Sequence, residues 1–485
     1  MAMLREMELP VDTMRTLGYR AVDLIIDHHA HRTEHTVVGA TFVSPAIEET
    51  SRPPEHPTPP GQVLEQAHRE ILSSALHADH PLNFGRIPGP AMFIGALGDM
   101  LAAGFNACAV STAVSPGATR VEQLCATWLA NAIGLAPGSG GIFVSGGSVA
   151  NLMAVVLARD RHPGEIARLV AYCSDQTHPS IRRALRIAGL SADNLRTVPV
   201  DDAFRIDLTA LHTQIAADQH AGRIPFLLIA NAGTTNTGSV DPLREMGRIA
   251  TRYGMWFHVD GAFGAAAAMG TRAVQLFDGL ANADSVTIDP HKWLFQPYAI
   301  SCLLIKSPEA LARSFYLTDV YLQDDQQDPA NLSAQGIEVT RPFRALKLWM
   351  SITCHGMAAI RRAIDHGIEL AEHAAKAIEM SPDLSIVTLP SLGVLTFACR
   401  AGHLSGVERD ALHEQVSRTL IADGHAVIFC TTVHGRRVFR MCVINPLTTR
   451  AGIERTLLRV VETVRNYLAF HAPLSNAHAV PTGKG

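Results

Sequence analysis

Residues 285–293, SVTIDPHKW, join a short apolar run to a polar cluster that contains Lys292. The run has the length and the β-branched residues of a buried strand. Similar runs, separated by helical patterns, occur at 141–144, 169–173, 226–230, 256–259 and 300–305. Strands that alternate with helices form a mostly parallel sheet that is covered by helices on both faces. The sequence therefore predicts an α/β fold.

The composition is that of a large folded protein. The chain has 485 residues, of which 47% are hydrophobic and 18% charged. This length is enough for two or three domains, and this apolar content is enough for a large buried core. The formal net charge is −4 and no long run of Lys and Arg occurs, so nucleic acid is not expected as a partner. The eight cysteines include no C-x-x-C pair, which argues against a disulfide framework or a cysteine zinc site.

The flanking segments suggest how the chain is divided. Residues 11–30 have helical apolar spacing, and residues 45–60 are rich in proline and cannot form a helix or a central strand. Such a segment suits an arm that wraps a second subunit. The predicted parts are an N-terminal helical arm with a Pro-rich connector (1–75), a large domain (76–345), a small C-terminal α/β domain (346–470) and a flexible tail (471–485).

Neither end of the chain nor its most apolar window predicts a membrane association. The amino terminus lacks the uninterrupted apolar stretch of a secretory signal, and no window has the length of a membrane span. We therefore expect a cytoplasmic protein with no membrane partner.

Polar residues follow four of the predicted strands, where ligands of such sheets bind. After 141–144 come Gly147 and Ser148 at the start of an apolar helix, where free amides and a hydroxyl favour a phosphate. An ordinary strand-to-helix turn is the alternative, and the G-x-G-x-x-G spacing of a dinucleotide site does not occur here. After 169–173, His178 either faces a ligand ring or has a structural role.

The other two strand ends carry a carboxylate and an amine. Asp260 is followed by the small residues Gly261 and Ala262, which leave room for a flat molecule. A buried carboxylate needs a cationic partner, and a structural ion pair is the alternative interpretation. Lys292 follows the strand 285–288, and we expect desolvation and nearby cations to lower its pKa and to favour Schiff base formation. A lysine that extends its ammonium group to the surface is the alternative.

The four segments match the parts of one ligand, pyridoxal 5′-phosphate (PLP). Gly147 and Ser148 correspond to its phosphate, and His178 and Ala262 to the two faces of its ring. Asp260 corresponds to the ring nitrogen and Lys292 to the aldehyde. A carboxylate against the pyridine nitrogen keeps that nitrogen protonated, so that the ring withdraws electrons from the α-carbon of an amino acid. PLP is therefore the predicted cofactor.

Nearly the whole chain resembles the group II PLP-dependent amino-acid decarboxylases, the family of the aromatic-amino-acid, histidine and glutamate enzymes. The segments that carry the resemblance are SPGATRVEQ (115–123), SGGSVANL (145–152), DQTHPS (175–180), NAGTTNTGSVDP (231–242), HVDGAFG (258–264), DPHKW (289–293), RPFRALKLW (341–349) and FRMCVINPLTT (439–449). The resemblance implies the aspartate-aminotransferase-like fold of type I PLP enzymes, with a seven-stranded sheet in the large domain. It also implies an obligate homodimer with its active sites at the subunit interface.

The resemblance implies a reaction and a set of residue roles. The reaction is decarboxylation of an L-amino acid, aromatic or related, to the amine and carbon dioxide through a Schiff base and a quinonoid. The implied catalytic residues are Lys292 for the Schiff base, Asp260 at the pyridine nitrogen and His178 on the ring face. The implied cofactor contacts are completed by Gly147, Ser148, Thr235, Ala262 and His291.

Three features depart from the family pattern. No tyrosine occurs in residues 322–348, where family decarboxylases usually keep one that helps to protonate the product carbon. Oxidative deamination to an aldehyde therefore stays open beside amine formation. Arg86 and Pro88 are predicted substrate contacts, and Arg86 either favours an acidic or polar substrate side chain or anchors a dimer contact. Asp289 stands where many members have Asn, without a functional interpretation.

Three other functions have less support in the sequence: transamination, metal binding and a scaffold without activity. Arg440 is a candidate for the carboxylate clamp of an aminotransferase, but its segment resembles a small-domain strand, which favours a structural role. Histidines crowd 28–35 and 77–80, yet no carboxylate or cysteine completes a convincing set, so no metal is predicted. A PLP-fold scaffold without activity is the non-enzyme alternative, and the presence of Lys292 and Asp260 argues against it.

Overall fold

Strands and helices alternate through most of the computed structural model, which describes residues 7–39, 52–87, 89–316, 328, 330–402 and 404–470. The strands are β1 (Gly140–Val144), β2 (Leu169–Ser174), β3 (Leu195–Val198), β4 (Ile224–Asn231), β5 (Trp256–Asp260), β6 (Ser285–Ile288), β7 (Ser301–Ile305), β8 (Leu384–Ser391), β9 (Val394–Cys399), β10 (Phe429–Val433) and β11 (Arg436–Cys442). The α-helices are α1 (Val11–His31), α2 (Pro60–Gln66), α3 (Phe93–Gly104), α4 (Pro116–Ala132), α5 (Gly147–Arg159), α6 (Ser180–Ile187), α7 (Leu208–His220), α8 (Leu243–Tyr253), α9 (Glu309–Phe315), α10 (Ala345–Met380), α11 (Gly406–Ala422) and α12 (Arg450–Phe470).

The large sheet has seven strands in the order β1-β7-β6-β5-β4-β2-β3. The pairs β2–β3, β2–β4, β4–β5 and β5–β6 are parallel, whereas β7 runs antiparallel to both of its neighbours, β1 and β6. The carboxyl ends of β1, β2, β4, β5 and β6 therefore lie at the same edge. The predicted α/β fold with a mostly parallel seven-stranded sheet is confirmed.

The central strands are buried on both faces because helices cover both faces of the sheet. Along β4, Leu228 packs into one core with Leu129 of α4, and its neighbours Leu227 and Ile229 pack into the other core with Met153 of α5. Successive side chains of a strand point to opposite faces, so one apolar run serves both cores. This explains why these strands are continuous apolar runs in the sequence.

A smaller antiparallel sheet, in the order β10-β11-β9-β8, follows the long helix α10. Gly356, with φ 74° and ψ 151°, interrupts the helical backbone of α10. The sequence prediction missed β3 and β8, which are edge strands that are only partly buried and so lack a continuous apolar run.

The N-terminal helix α1 forms as predicted, yet none of its residues is buried within this chain. It contacts the next helical segment through an ion pair between Arg20 and Glu65, with 2.6 Å between nitrogen and oxygen. Residues 40–51 of the predicted connector and the predicted tail lie outside the described residues. The division into four parts stays our prediction.

The described ranges were also searched for metal sites and membrane spans. Within them, no group of His, Cys, Asp and Glu side chains has the arrangement of a metal site. In the histidine-rich region, His28 instead bonds to Asp79 at 2.9 Å. No helix of the described part of the chain is long and apolar enough to cross a bilayer.

Candidate active site

A cavity of about 260 Å³ lies at the edge of the large sheet where the parallel strands end. It is lined by residues that follow β1, β2, β4, β5 and β6. The predicted site residues that line it are Gly147, Ser148, His178, Thr235, Asp260, Ala262, His291 and Lys292. Segments more than 140 residues apart in sequence thus meet in one place.

One end of the cavity is the start of helix α5. The amides of Val149 and Ala150 both donate to the carbonyl of Gly146, at 2.9 and 3.2 Å. The amides of Gly147 and Ser148 belong to the first helical turn, where N–H groups have no partner within the helix. These donors and the positive end of the helix dipole favour an anion such as a phosphate.

Asp260, the last residue of β5, is a buried carboxylate with only 7% of its surface exposed. Its Oδ2 accepts a hydrogen bond from Nδ2 of Asn151 at 2.9 Å, and its Oδ1 accepts one from the amide of Ala262 at 3.2 Å. Among the residues that the structure describes, no Lys, Arg or His nitrogen pairs with it within 4 Å. The structural ion pair weighed as an alternative is therefore absent there, and the carboxylate is open to a cationic ligand.

A chain of hydrogen bonds behind Asp260 fixes the orientation of Asn151. Nε1 of Trp256 donates to Oγ of Ser285 at 2.8 Å, and Nδ1 of His258 lies 2.8 Å from the same oxygen. Burial lowers the pKa of His258 to about 4, so its ring is neutral at pH 7. Its Nε2 lies 3.1 Å from Oδ1 of Asn151. The same Oδ1 accepts a hydrogen bond from Oγ1 of Thr287 at 2.7 Å, so the amide nitrogen of Asn151 faces Asp260.

His178 lies exposed at the mouth of the cavity. The amide of Ser180 donates to its Nδ1 at 3.2 Å, and Oγ of Ser180 lies 2.9 Å from the same nitrogen. Desolvation by the surrounding protein, together with the charge of Lys292, lowers the pKa of His178. The ring is therefore neutral at pH 7, with its proton on Nε2.

Lys292 forms an ion pair with Asp289, with 2.8 Å between Nζ and Oδ2. Burial by itself lowers the pKa of Lys292, but the Asp289 carboxylate outweighs burial and raises the pKa above its ordinary value. The expected lowering of this pKa is therefore wrong for the protein without cofactor. The cause is local, because the turn after β6 brings the acid at position 289 back onto the amine three residues later.

The turn that carries Lys292 is held on both sides. His291 lies 2.6 Å, through Nδ1, from the carbonyl oxygen of Ile300. Trp293 is fully buried and stacks on Phe263, with ring centroids 5.1 Å apart. The polar cluster that the sequence places after β6 is thus fixed against the core, and Asp289, His291 and Lys292 face the cavity.

Of the predicted substrate contacts, Arg86 is described, and it is not among the residues that line this cavity. The guanidinium of Arg86 lies over the ring of Phe429 at 5.7 Å, and Pro88 lies outside the described residues. The Arg86 carbonyl accepts a hydrogen bond from Nη1 of Arg440 at 2.5 Å, and the carbonyl of Asn236 accepts one from Nε of Arg440 at 3.2 Å. These contacts fit the structural role predicted for Arg440. The substrate roles of Arg86 and Pro88 stay predictions.

Sequence reasoning assigned no role to Asn151, Ser180, His258 or Asp289, although all four lie in segments that it singled out. Asn151 had a usable signal. It stands four residues after Gly147 on the same helix, and positions i and i+4 share a face. The contacts of His258 had none, because they depend on how separate strands are placed, and the contact of Asp289 with Lys292 depends on the conformation of one turn.

The residues present fit PLP. The cavity is slightly smaller than the range of about 300–1,000 Å³ that is typical of small-molecule sites, which suits a compact cofactor. It combines an anion-binding helix start, a buried carboxylate open to a ring cation, and an amine held near both. Asp289 adds a buried oxygen, Oδ1, that has no hydrogen-bond partner in the described part of the chain.

Comparison with known proteins gives the same assignment. Residues 46–400 match the family model described as the pyridoxal-dependent decarboxylase conserved domain. The chain is 36% identical over 465 residues to an aromatic-L-amino-acid decarboxylase of Bacillus atrophaeus, which covers 94% of this chain and 97% of that protein. It is 30% identical over 472 residues to a phenylacetaldehyde synthase of Petunia hybrida, with 92% and 93% covered.

Among solved structures, Oryza sativa TDC with PLP and tryptamine has a TM-score of 0.89 and 26% identity, with 95% of this chain and 99% of that chain covered. The match extends over both sheets and so includes the strands that frame the cavity. The chain therefore belongs to the pyridoxal-dependent decarboxylase family, and pyridoxal 5′-phosphate is its cofactor.

Proposed function

We propose that this PLP-dependent amino-acid decarboxylase converts an aromatic or related L-amino acid to the amine and carbon dioxide, with Lys292 as the residue that binds the cofactor covalently. The observation that carries the assignment of residues is that Lys292 and Asp260 line one cavity, on two neighbouring strand ends. The aromatic substrate class is supported by the 36% identity to the Bacillus atrophaeus enzyme.

When bound, PLP supplies an aldehyde that condenses with amines and a ring that withdraws electrons from the α-carbon of the amino acid. Lys292 is the amine that this chain offers to the aldehyde. Asp260 accepts a hydrogen bond from the ring nitrogen and keeps a proton on it, since its two oxygens are already oriented by Asn151 and Ala262. A carboxylate held in this way needs no rearrangement to stabilise the cation.

The remaining residues of the cavity orient the cofactor. The amides of Gly147 and Ser148 bind the phosphate, and Thr235 and His291 line the space beside it. His178 covers one face of the ring and Ala262 the other. Because His178 is neutral, it adds no second positive charge that would compete with the ring nitrogen for Asp260.

A second product stays open. Residues 322–348 contain no tyrosine, although Tyr321 directly precedes them, so the support for this product is the 30% identity to a phenylacetaldehyde synthase. In that reaction the amino acid, dioxygen and water give the aldehyde, carbon dioxide, ammonia and hydrogen peroxide. Transamination is disfavoured, because Nε and Nη1 of Arg440 bind backbone carbonyls and a two-point clamp on a carboxylate would need more than the remaining Nη2, which is buried without a hydrogen-bond partner among the described residues.

We also propose a homodimer whose active sites lie at the subunit interface. Helix α1 buries none of its residues in its own chain, and it exposes Tyr19 by 68% and Ile26 by 45%. These two residues are seven apart and so share one face of the helix, which gains free energy when a second copy covers it. A cytoplasmic location stays our prediction, and cell fractionation with an antibody tests it.

The deciding experiment incubates the PLP-loaded protein with a panel of L-amino acids and records carbon dioxide, amine, aldehyde and hydrogen peroxide. Amine without peroxide supports decarboxylation to the amine, and aldehyde with peroxide supports the oxidative reaction. A keto acid without carbon dioxide would contradict both. Borohydride reduction followed by peptide mapping should label Lys292. Label on Lys306 or Lys347 instead would overturn the assignment of the covalent residue.

A further inference from the structure

Asp289 is a buried carboxylate whose ion-pair partner is the amine that the cofactor consumes. Its side chain is 3% exposed, and Oδ2 lies 2.8 Å from Nζ of Lys292. The other titratable side chains that face it are His291, with Nε2 at 3.7 Å, and His178 farther away. No hydrogen-bond donor among the described residues reaches Oδ1 of Asp289.

The same carboxylate lies against the helix start that is suited to a phosphate. A methyl group built on Gly147 would come within 2.9 Å of Oδ2 and 3.0 Å of Oδ1 of Asp289. The anion-binding amides of Gly147 and Ser148 are therefore immediate neighbours of a buried negative charge. In the cofactor-free protein the Lys292 ammonium balances that charge.

Loading the cofactor changes this balance. Condensation joins the Lys292 nitrogen to the aldehyde carbon and releases the aldehyde oxygen as water, together with two of the three ammonium hydrogens. The nitrogen keeps its third hydrogen and its positive charge, so the step by itself neither consumes nor releases a proton. One cation then has to balance both the Asp289 carboxylate and the phosphate that arrives beside it. Two anions that share a buried site raise each other's pKa, which favours protonation of one of them.

We propose that Asp289 takes up one proton from solvent when PLP binds, and that its neutral carboxyl group then donates a hydrogen bond to the phosphate. This inference rests on the proposed role of Lys292. A neutral carboxyl group presents one O–H donor and one carbonyl acceptor, much as an asparagine amide presents N–H donors and a carbonyl. An aspartate can therefore serve at a position where the family resemblance places asparagine.

Proton uptake during loading tests the proposal without any assay of turnover. Binding heats of PLP to the cofactor-free protein, measured in buffers of different ionisation enthalpy, give the number of protons exchanged. We expect the wild type to take up about one proton more than Asp289→Asn. As pH rises, the PLP affinity of the wild type should therefore fall relative to that of Asp289→Asn, by about tenfold for each pH unit. Because the Asp289 charge acts to raise the pKa of both Lys292 and His291, their contributions cancel only where both residues have the same protonation in the two cofactor-free proteins. The uptake is therefore compared at a pH at which titration of both cofactor-free proteins shows this.

Two controls separate this effect from general changes of charge. Asp99→Asn removes a carboxylate that also lies 2.8 Å from a lysine nitrogen, that of Lys347, outside the cavity. It should take up as many protons as the wild type. Pyridoxal, which lacks the phosphate, should load the wild type without the extra proton. This comparison uses unaltered protein and stays informative if Asp289→Asn folds poorly.

Infrared difference spectra give an independent readout, because the carbonyl stretch of a protonated carboxyl group should appear on loading in the wild type and be missing in Asp289→Asn. Equal proton uptake with PLP and pyridoxal, or equal uptake by the wild type and Asp289→Asn, would refute the proposal. If borohydride fails to trap the cofactor on Lys292 of the wild type, the proposed function itself fails. The two failures are therefore distinguishable.

Discussion

The side-chain nitrogen of Asn151 lies 2.9 Å from Oδ2 of Asp260, at the end of a hydrogen-bond chain that begins at Trp256. Asp260 is thus held by a neutral amide rather than by a cation. In this orientation we propose that it meets the ring nitrogen of the cofactor.

Replacing Asn151 should weaken this support. Asn151→Ala removes a hydrogen bond to a charged group, which is worth about 1.5–3 kcal/mol, so we expect PLP affinity or kcat to fall roughly 10- to 150-fold. Thr287→Val is the matched control, since it removes the 2.7 Å hydrogen bond to Oδ1 of Asn151 and leaves the contact with Asp260. It should lose less than Asn151→Ala. Wild-type affinity and turnover in Asn151→Ala would show that the chain does not support Asp260.

Gly147→Ala should impair cofactor binding rather than folding. The new methyl group would lie 2.9 Å from Oδ2 of Asp289 and 3.3 Å from Cβ of Ala262, and overpacking of this kind costs about 1–3 kcal/mol. We expect PLP to bind roughly 5- to 150-fold more weakly, as measured by equilibrium titration. Gly117→Ala is the control, because it changes a glycine in the first turn of α4 with nothing within 4 Å. Equal losses in both variants would contradict this account.

The buried His258 should make the protein less stable in mild acid. Burial lowers its pKa from 6.5 to about 4, so between these pH values the unfolded chain binds a proton that the folded chain excludes. The free energy of unfolding should therefore fall as pH decreases from 6.5 and level off below 4, with a loss of about 2 kcal/mol from this residue at pH 5.

Urea unfolding of the cofactor-free protein at pH 7 and pH 5, at one protein concentration, measures this loss. His258→Gln should show a smaller difference between the two pH values than the wild type. His220→Gln, at an exposed position, should behave as the wild type does. His80, whose pKa burial also lowers to about 4, should preserve part of the dependence in every variant. An unchanged difference in His258→Gln would contradict the assignment.

Charges on helix α1 should separate the subunits. The double variant Tyr19→Glu with Ile26→Glu places two carboxylates on the face that we propose is covered by the partner. Each apolar side chain of this size contributes about 1.5–3 kcal/mol when buried, so the dissociation constant should rise at least about 100-fold. Sedimentation velocity measures it. Leu458→Glu, at a position 62% exposed on α12, should leave the dimer intact, and a dimeric double variant would contradict the proposed interface.

The sequence was most informative where chemistry follows directly from neighbours in the chain. The apolar runs gave the α/β fold, and the residues after them, such as Asp260 and Lys292, gave the cavity lining. The edge strands β3 and β8 were missed because partial burial leaves little apolar signal. The direction of the Lys292 pKa was wrong because it depends on the conformation of a turn, and the contacts of His258 depend on strand register. Such three-dimensional contacts have no local pattern.

The reversed strand β7 has a consequence for how this scaffold diversifies. The chain leaves β6 at Ile288 and enters β7 at Ser301 on the same edge of the sheet, so the loop that carries Lys292 is tethered at both ends. Insertions there would displace the reactive amine together with His291 and would be selected against. New substrate preferences are therefore expected to arise in other loops, while this hairpin stays constant in length.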